Sequence, residues 1–297
     1  MSRTVDDEAP MPSNWDDHDG WDTYYRAETV GATAELVAGP WSSVKQMRPC
    51  RFLTFALSLN PDKRPKVWFP GVGLDRSPFV YALAGCEVIA TDVSLTAIEF
   101  LRRTQSSGTS IVEDTDEMVR ELEIEALADQ LALTFEIHDF REPLPYEGFD
   151  LVVNVKALQA LPGESLQRAS RTFFKALRPG GYAIFDTQNV QGERRDMLEN
   201  SLMDAGFHLP GHQAEVWLRD QIRASGIPSI MVLGQPFPNR YDSRYKGRKG
   251  EKLAEKDQTT LRALMPEYRR IVEEERRREQ ESPDDTRKTV YMVYNTG

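Results

Sequence analysis

The apolar run Lys66-Val67-Trp68-Phe69 ends in Pro70-Gly71-Val72-Gly73-Leu74-Asp75. Two glycines placed straight after a buried-strand pattern let the backbone turn tightly and come close to a ligand. A helix start just beyond them offers N–H groups without partners. A turn built for backbone reasons alone would use the same residues. A second apolar run, Glu87-Val88-Ile89-Ala90-Thr91, ends in Asp92, 21 residues on from Gly71. At that spacing an acid sits at the tip of the neighbouring parallel strand, where its carboxylate can accept both hydroxyls of a ribose. Capping a helix is the competing role for Asp92, but Ser94 is better placed for it. Together the two features point to an adenosine-containing ligand. A dinucleotide fingerprint wants a small residue where Arg76 stands, which leaves a nicotinamide oxidoreductase as the lesser alternative.

These residues act together only if a parallel sheet brings the strand ends to one edge. Strands are expected at 66–70, 87–91, 133–138, 149–155, 181–186, 229–233 and 289–294. Helices are expected between them: 76–84 with Ser77 as N-cap and Pro78 in the first turn, 95–104 capped by Ser94 with Arg102 and Arg103 in its last turn, 115–131, 164–177, 193–203 and 213–224. Strands alternating with helices make an α/β, doubly wound, mostly parallel seven-stranded sheet. The divisions expected are an N-terminal tail and helical lid (1–64), a cofactor-binding core (65–238), a charged helical insertion (239–285) and the final core strand (286–297).

In order and spacing, residues 66–187 resemble the class I S-adenosylmethionine-dependent methyltransferases, which have a Rossmann-like fold. The features that carry the resemblance are the glycine turn (PGVG), the acid after the second strand (ATDVS), the acid after the third (HDFREPLP), the fourth strand (FDLVVNV) and LRPGG before the fifth. Locally, PGVGLDRSPF is similar to the first motif of carnosine N-methyltransferases, and its Pro-Gly-x-Gly with a nearby Asp to thiopurine methyltransferase-like enzymes; neither similarity carries a substrate with it. The resemblance implies S-adenosylmethionine as cofactor and S-adenosylhomocysteine as product. It implies that Pro70, Gly71 and Gly73 pass under adenosine and methionine, and that Asp92, with Val93 beside it, holds the ribose. Asp139 would accept from the adenine amino group and Phe140 would give a backbone donor. Asn154 and Val155 would lie where methionine and acceptor meet. The chain departs from the family's first motif at two points: Phe69 stands at the place of the usual acid and Asp75 at that of the last glycine.

Trp21-Asp22-Thr23-Tyr24-Tyr25-Arg26 resembles the aromatic lead-in of small-molecule methyltransferases. Trp21, Tyr24 and Tyr25 are expected to face the methyl end, where aromatic rings attract a sulfonium; packing on the sheet is the other role open to them. Arg26 is the candidate for a carboxylate of cofactor or acceptor, and Lys156 is a further candidate on the substrate side. Asn154-Val155-Lys156-Ala157-Leu158 lacks the Asn-Pro-Pro-Tyr run of amide and nucleobase-amine enzymes, and no catalytic base stands out. The activity implied is methyl transfer to a nitrogen, oxygen or sulfur atom of a small molecule. Methylation of a protein, peptide or RNA, and a non-catalytic cofactor-binding scaffold or sensor, remain open.

Composition narrows the classes. The 297 residues carry a formal charge of −10. Asp6, Asp7, Glu8, Asp16, Asp17, Asp19 and Asp22 stand against Arg3 alone in the first 25 residues, of which 1–20 read as disordered. An acidic chain disfavours nucleic acid. The basic stretch 239–252, with Tyr241 and Tyr245, is the exception. The mixed-charge helix expected after it, 257–280, reads as a solvated face or a homodimer contact, ahead of an anionic-substrate lid or a nucleic-acid contact. No run approaches a membrane span and no secretory signal is visible. Cys50 and Cys86 form no disulfide framework or zinc spacing, so a cytoplasmic protein without a metal is expected.

Overall fold

The computed structural model describes residues 17–29, 48–59, 63–107, 131–188, 193–225, 231–232, 245–246, 255–281, 284 and 286–295. The expected acidic lead before residue 17, nearly all of the helix at 115–131 and most of the basic stretch at 239–252 lie outside these residues. The strands are β1 (Lys66–Pro70), β2 (Glu87–Asp92), β3 (Leu133–Ile137), β4 (Phe149–Val155), β5 (Leu177–Gln188), β6 (Met231–Val232), β7 (Tyr245–Lys246) and β8 (Thr289–Asn295). The helices are α1 (His18–Thr29), α2 (Arg48–Ser58), α3 (Ser77–Leu83), α4 (Leu95–Ser107), α5 (Gly163–Ala176), α6 (Glu193–Asp204), α7 (His212–Ala224) and α8 (Glu255–Glu281).

Six strands form one sheet in the order β3-β2-β1-β4-β5-β8, every neighbouring pair parallel. The strand expected at 229–233 does not join it among the described residues: Met231 and Val232 pair antiparallel with Lys246 and Tyr245 in a separate ladder. The main sheet therefore has six described strands rather than seven. Strand order reverses between β1 and β4, and a parallel sheet opens its ligand crevice there, at the carboxyl edge.

Alternation along the strands feeds two cores. Val67, Phe69, Val88, Ala90, Leu151 and Val153 face one side, with α2, α3 and α4. Trp68, Ile89, Val152, Ala183 and Phe185 face the other, with α5 and α6. The strands read as continuous apolar runs because both faces are covered. Trp68 is fully buried among Phe149 and Phe173 and donates from Nε1 to Thr91 Oγ1 at 3.0 Å; truncating it to alanine would cost about 3–5 kcal/mol. A third, small cluster of Ala214, Leu218, Tyr268 and Val272 joins α7 to α8.

Three local expectations are corrected. Ser77 is the first residue of α3, not its cap: Asp75 Oδ1 accepts from Ser77 N–H at 2.9 Å and Ser77 Oγ at 2.7 Å, because a carboxylate two residues upstream reaches the open amide. Ser94 does cap α4, accepting from Ala97 N–H at 3.2 Å, but α4 runs on to Ser107. Arg102 is thus inside α4, and its guanidinium donates to Phe135 O of β3 at 2.6 Å. The LRPGG segment belongs to β5: pairing with β4 passes from Phe149↔Leu177 to Leu151↔Tyr182, so Arg178–Gly181 bulge from the ladder.

Candidate functional site

The tips of β1 and β2 meet as the spacing requires. Gly71 and Gly73 both take left-handed φ, 63° and 54°, which side chains resist. Val72 N–H donates to Thr91 O at 3.0 Å, folding the glycine turn back onto β2. Gly73 N–H donates to Asp92 Oδ2 at 2.8 Å, and Ser94 N–H to Asp92 Oδ1 at 2.9 Å. Asp92 is 1% exposed. Burial pushes its carboxyl up to about 6, against the opposing pull of the Ser94, Gly73 and Val93 amides. A carboxylate has about four acceptor positions, so these contacts orient Asp92 without exhausting it. Val93 is half-buried against the second core.

Helix α1 lies across this edge. Its Asp22 carboxylate accepts from Ser94 Oγ and from Thr96 N–H, the latter at 3.0 Å, and so sits on the amino end of α4, where the helix dipole favours an anion. Desolvation opposes the charge of Asp22, but the bonds from Ser94 and Thr96 hold its carboxyl below the usual range. Tyr25 reaches over the glycine turn: a Cβ on Gly73 would lie 2.5 Å from Tyr25 Oη. Burial, and then the nearby Asp92 charge, raise the Tyr25 phenol well above its ordinary value. Of the expected aromatic face, then, Tyr25 stands over the site. Trp21 does not: it is 6% exposed, lies in the second core and stacks on Tyr25 at 6.0 Å. Tyr24 packs edge-on to both, and exposed Arg26 lies 3.8 Å from Asp22.

Asp139 stands after β3, clasped by Arg141, whose Nη2 is 2.6 Å from Oδ2 and whose backbone N–H donates to Oδ1 at 2.9 Å. Desolvation is outweighed by these bonds, so the Asp139 carboxyl lies below its usual value. Arg141 is itself buried and donates to Ser165 Oγ at 3.2 Å. His18 of α1 closes over the pair, with Nε2 3.9 Å from Asp139 Oδ2. The Phe140 ring is fully buried, 5.5 Å from Phe173, so only its backbone can meet a ligand.

The Asn154 side chain is committed within the protein. Nδ2 donates to Pro70 O at 2.8 Å, and Oδ1 accepts from Leu158 N–H at 3.1 Å. It joins the end of β4 to the end of β1 rather than presenting itself to a ligand. Val155 is half-buried beside it, and Lys156 is exposed in the left-handed region, φ 61°. Sequence reasoning missed Asp22, His18, Arg141 and Asp75 as builders of this edge. Asp22 was masked by the acidic lead around it, whereas Asp139 and Arg141 stood two residues apart in plain view.

Residues 70–185 match the family model described as "Methyltransferase domain". No curated protein is similar enough in sequence to match the chain. Among solved structures, the chain is similar to magnesium protoporphyrin IX methyltransferase from Synechocystis PCC 6803 with bound S-adenosylmethionine (15% identity, 67% of this chain and 88% of that one, TM-score 0.46). It is similar to a TehB-like S-adenosylmethionine-dependent methyltransferase from Corynebacterium glutamicum (17%, 59% and 83%, 0.41). It is also similar to the [4+2]-cyclase SpnF (18%, 53% and 56%, 0.38). It spans about half the length of some structures it matches, SpnF among them. Likeness this distant carries no argument about this chain. Over residues 70–185, then, this chain is similar to a methyltransferase domain.

Proposed function

We propose that the protein transfers the methyl group of S-adenosylmethionine to a nitrogen, oxygen or sulfur atom of a small molecule. The observation that carries this is Asp92, buried at the tip of β2 with one oxygen on the backbone of left-handed Gly73. The residues fit the cofactor. Asp92 suits the ribose hydroxyls, the Gly71–Gly73 backbone allows close approach, and the Phe140 amide beside Asp139 is the donor available to adenine. When bound, S-adenosylmethionine supplies a methyl group already activated on a sulfonium. The protein's part is to orient the acceptor's lone pair and to exclude water. An acceptor that arrives protonated releases its proton to solvent or to a group it brings near the site.

A small acceptor is favoured over a protein or RNA by α1. With Asp22 on α4 and His18 on the Asp139–Arg141 pair, α1 lies over the edge where a macromolecule would have to enter. Tyr25 stands next to Asp92 above Gly73, so the phenol must swing aside for a ribose to reach Asp92. In this reading α1 is a movable cover. Calorimetry with S-adenosylhomocysteine and with NAD tests the cofactor: binding of the first alone is expected, and binding of NAD alone would overturn the reading. Production of S-adenosylhomocysteine from S-adenosylmethionine, with pooled small metabolites against pooled peptides and RNA, tests the acceptor class. Turnover confined to the peptide or RNA pool would replace the small-molecule assignment.

A further inference from the structure

We propose that α1 is a self-inhibitory occupant of the crevice: docked as it stands, it excludes S-adenosylmethionine, which binds only after the turn carrying Tyr25 has lifted away. This deepens the S-adenosylmethionine reading above and rests on it. It differs from a closing lid in sign. A lid adds contacts to a bound cofactor, whereas an occupant competes with it.

Three side chains of α1 meet three neighbouring strand tips. His18 Nε2 lies 3.9 Å from Asp139 Oδ2, after β3. Asp22 accepts from Ser94 Oγ and Thr96 N–H, after β2. Tyr25 stands on Gly73, after β1. Positions 18, 22 and 25 are i, i+4 and i+7, one stripe of a helix. So α1 runs along the carboxyl edge in the order β3, β2, β1. An extended nucleoside with its base at Asp139, its ribose at Asp92 and its sulfur over the glycine turn would need that same line. The helix also starts without help from a ligand: Asp17 caps it, Oδ1 accepting from Gly20 N–H at 2.8 Å.

The Tyr25 ring takes the space that the glycine turn leaves open. A Cβ on Gly73 would meet Tyr25 Oη at 2.5 Å, Cζ at 3.1 Å and Cε1 at 3.4 Å, so the ring edge rests on bare backbone. The N–H of that same glycine is bonded to Asp92 Oδ2 at 2.8 Å, which puts the phenol beside the ribose acid. Burial first, and then the charge of Asp92, raise the phenol well above its usual value. The ring is held by stacking on Trp21 at 6.0 Å and by Tyr24, edge-on at 5.2 Å. Trp21 in turn is buried in the second core. None of these contacts needs a ligand, so the docked state is complete by itself and a ligand has to displace it. A site blocked by its own chain binds with an affinity reduced by the fraction of molecules in which it is open.

The test is calorimetry of S-adenosylhomocysteine at pH 8 with the unmodified protein, Asp22→Ala and Tyr25→Ala. Asp22→Ala removes the bonds that hold α1 on the amino end of α4, so the open fraction should rise and S-adenosylhomocysteine should bind about fivefold tighter. Tyr25→Ala removes the ring itself and should tighten binding by a similar factor. Limited proteolysis within residues 17–29 reads the displacement: saturating S-adenosylhomocysteine should speed cleavage of the unmodified protein. Ligand protection of this stretch, with weaker binding in either variant, would make α1 a closing lid and overturn the proposal. Unchanged affinity in Asp22→Ala would overturn it as well, and that variant decides alone if Tyr25→Ala does not fold. If neither the unmodified protein nor any variant binds S-adenosylhomocysteine, the cofactor reading itself fails. If the unmodified protein binds it and the variants bind no tighter, the cofactor reading stands and self-inhibition does not.

Discussion

Asp92 and Asn154 are both buried polar side chains at strand tips, yet their surroundings give them opposite work. Asp92 is fixed by two amide donors but keeps acceptor capacity, and burial brings its carboxyl to about 6. Removing it as Asp92→Ala should weaken S-adenosylhomocysteine by about ten- to a hundredfold, the worth of charge-assisted bonds to the ribose. A pH dependence follows. Ribose donors favour the carboxylate, so below about 6 protonation of the free protein competes with binding. Affinity should then fall by up to about tenfold per pH unit and be flat above pH 7 as far as this group is concerned. Calorimetry at pH 5, 6, 7 and 8 measures the slope, which Asp92→Asn should abolish. Without ligand the sign is opposite for stability. The fold raises this carboxyl from 3.8 to about 6, so the folded chain holds more protons in that window and the group's contribution falls as pH rises through it. Asn154 differs, because both its amide atoms already have protein partners. Asn154→Ala should strand the Pro70 carbonyl and the Leu158 amide and cost about 2–4 kcal/mol. A scanning thermal melt should show a drop of roughly 5–10 °C. Lost affinity at an unchanged melting temperature would instead make Asn154 a ligand contact.

At the scale of elements, α1 is held by polar contacts in its first half and by one buried ring. Asp22 on the α4 amino end and His18 over Asp139 and Arg141 are the polar contacts, and Trp21 in the second core is the anchor. An acid at a helix amino end contributes about 1 kcal/mol. Asp22→Ala should therefore raise the population of undocked α1 about fivefold while the sheet keeps its stability. Limited proteolysis within residues 17–29 reads this directly, and an unchanged cleavage rate would remove Asp22 from the docking account. Because Trp21 is a core residue, deleting the whole segment would confuse cover with core; the single substitution separates them. Helix α8 attaches differently. Tyr268 and Val272 pack on Ala214 and Leu218 of α7, and Glu275 accepts from Gln213 N–H at 3.0 Å. Along its exposed side Arg270 pairs with Glu267 and Glu274, and Arg278 with Glu274, the pattern of a solvated helix face.

For the whole molecule, the α7–α8 cluster is separate from both cores that flank the sheet. Tyr268→Ala, which empties that cluster, should loosen α8 alone. Hydrogen exchange should rise across residues 255–281 while affinity for S-adenosylhomocysteine stays within about twofold. Loss of cofactor affinity in that variant would mean that the insertion and the crevice are coupled. Among the described residues no helix is long and apolar enough to cross a membrane.

The parallel α/β sheet was legible in the sequence, because a strand buried on both faces must be apolar throughout and a crossover must return as an amphipathic helix. β1 and β4 have the expected bounds, and β2 and α6 end within one residue of them. The glycine turn and Asp92 were legible for a related reason: a turn needing left-handed backbone admits few residue types, and strand pairing fixes where an acid 21 residues later must stand. Partnership was not legible. That Asn154 would spend its amide on Pro70 and Leu158, that Arg141 would clasp Asp139, and that Asp22 would leave the acidic lead to cap α4 depend on which loops come within 3 Å. Chain separations such as the 84 residues from Pro70 to Asn154 carry no local signal. The number of strands in the sheet was decided in the same way: Met231 and Val232 have the composition of a core strand, and pairing with Tyr245 and Lys246 took them out of the main sheet. Residue type and local spacing determined which groups were available for chemistry, and tertiary hydrogen bonding decided which of them already had partners.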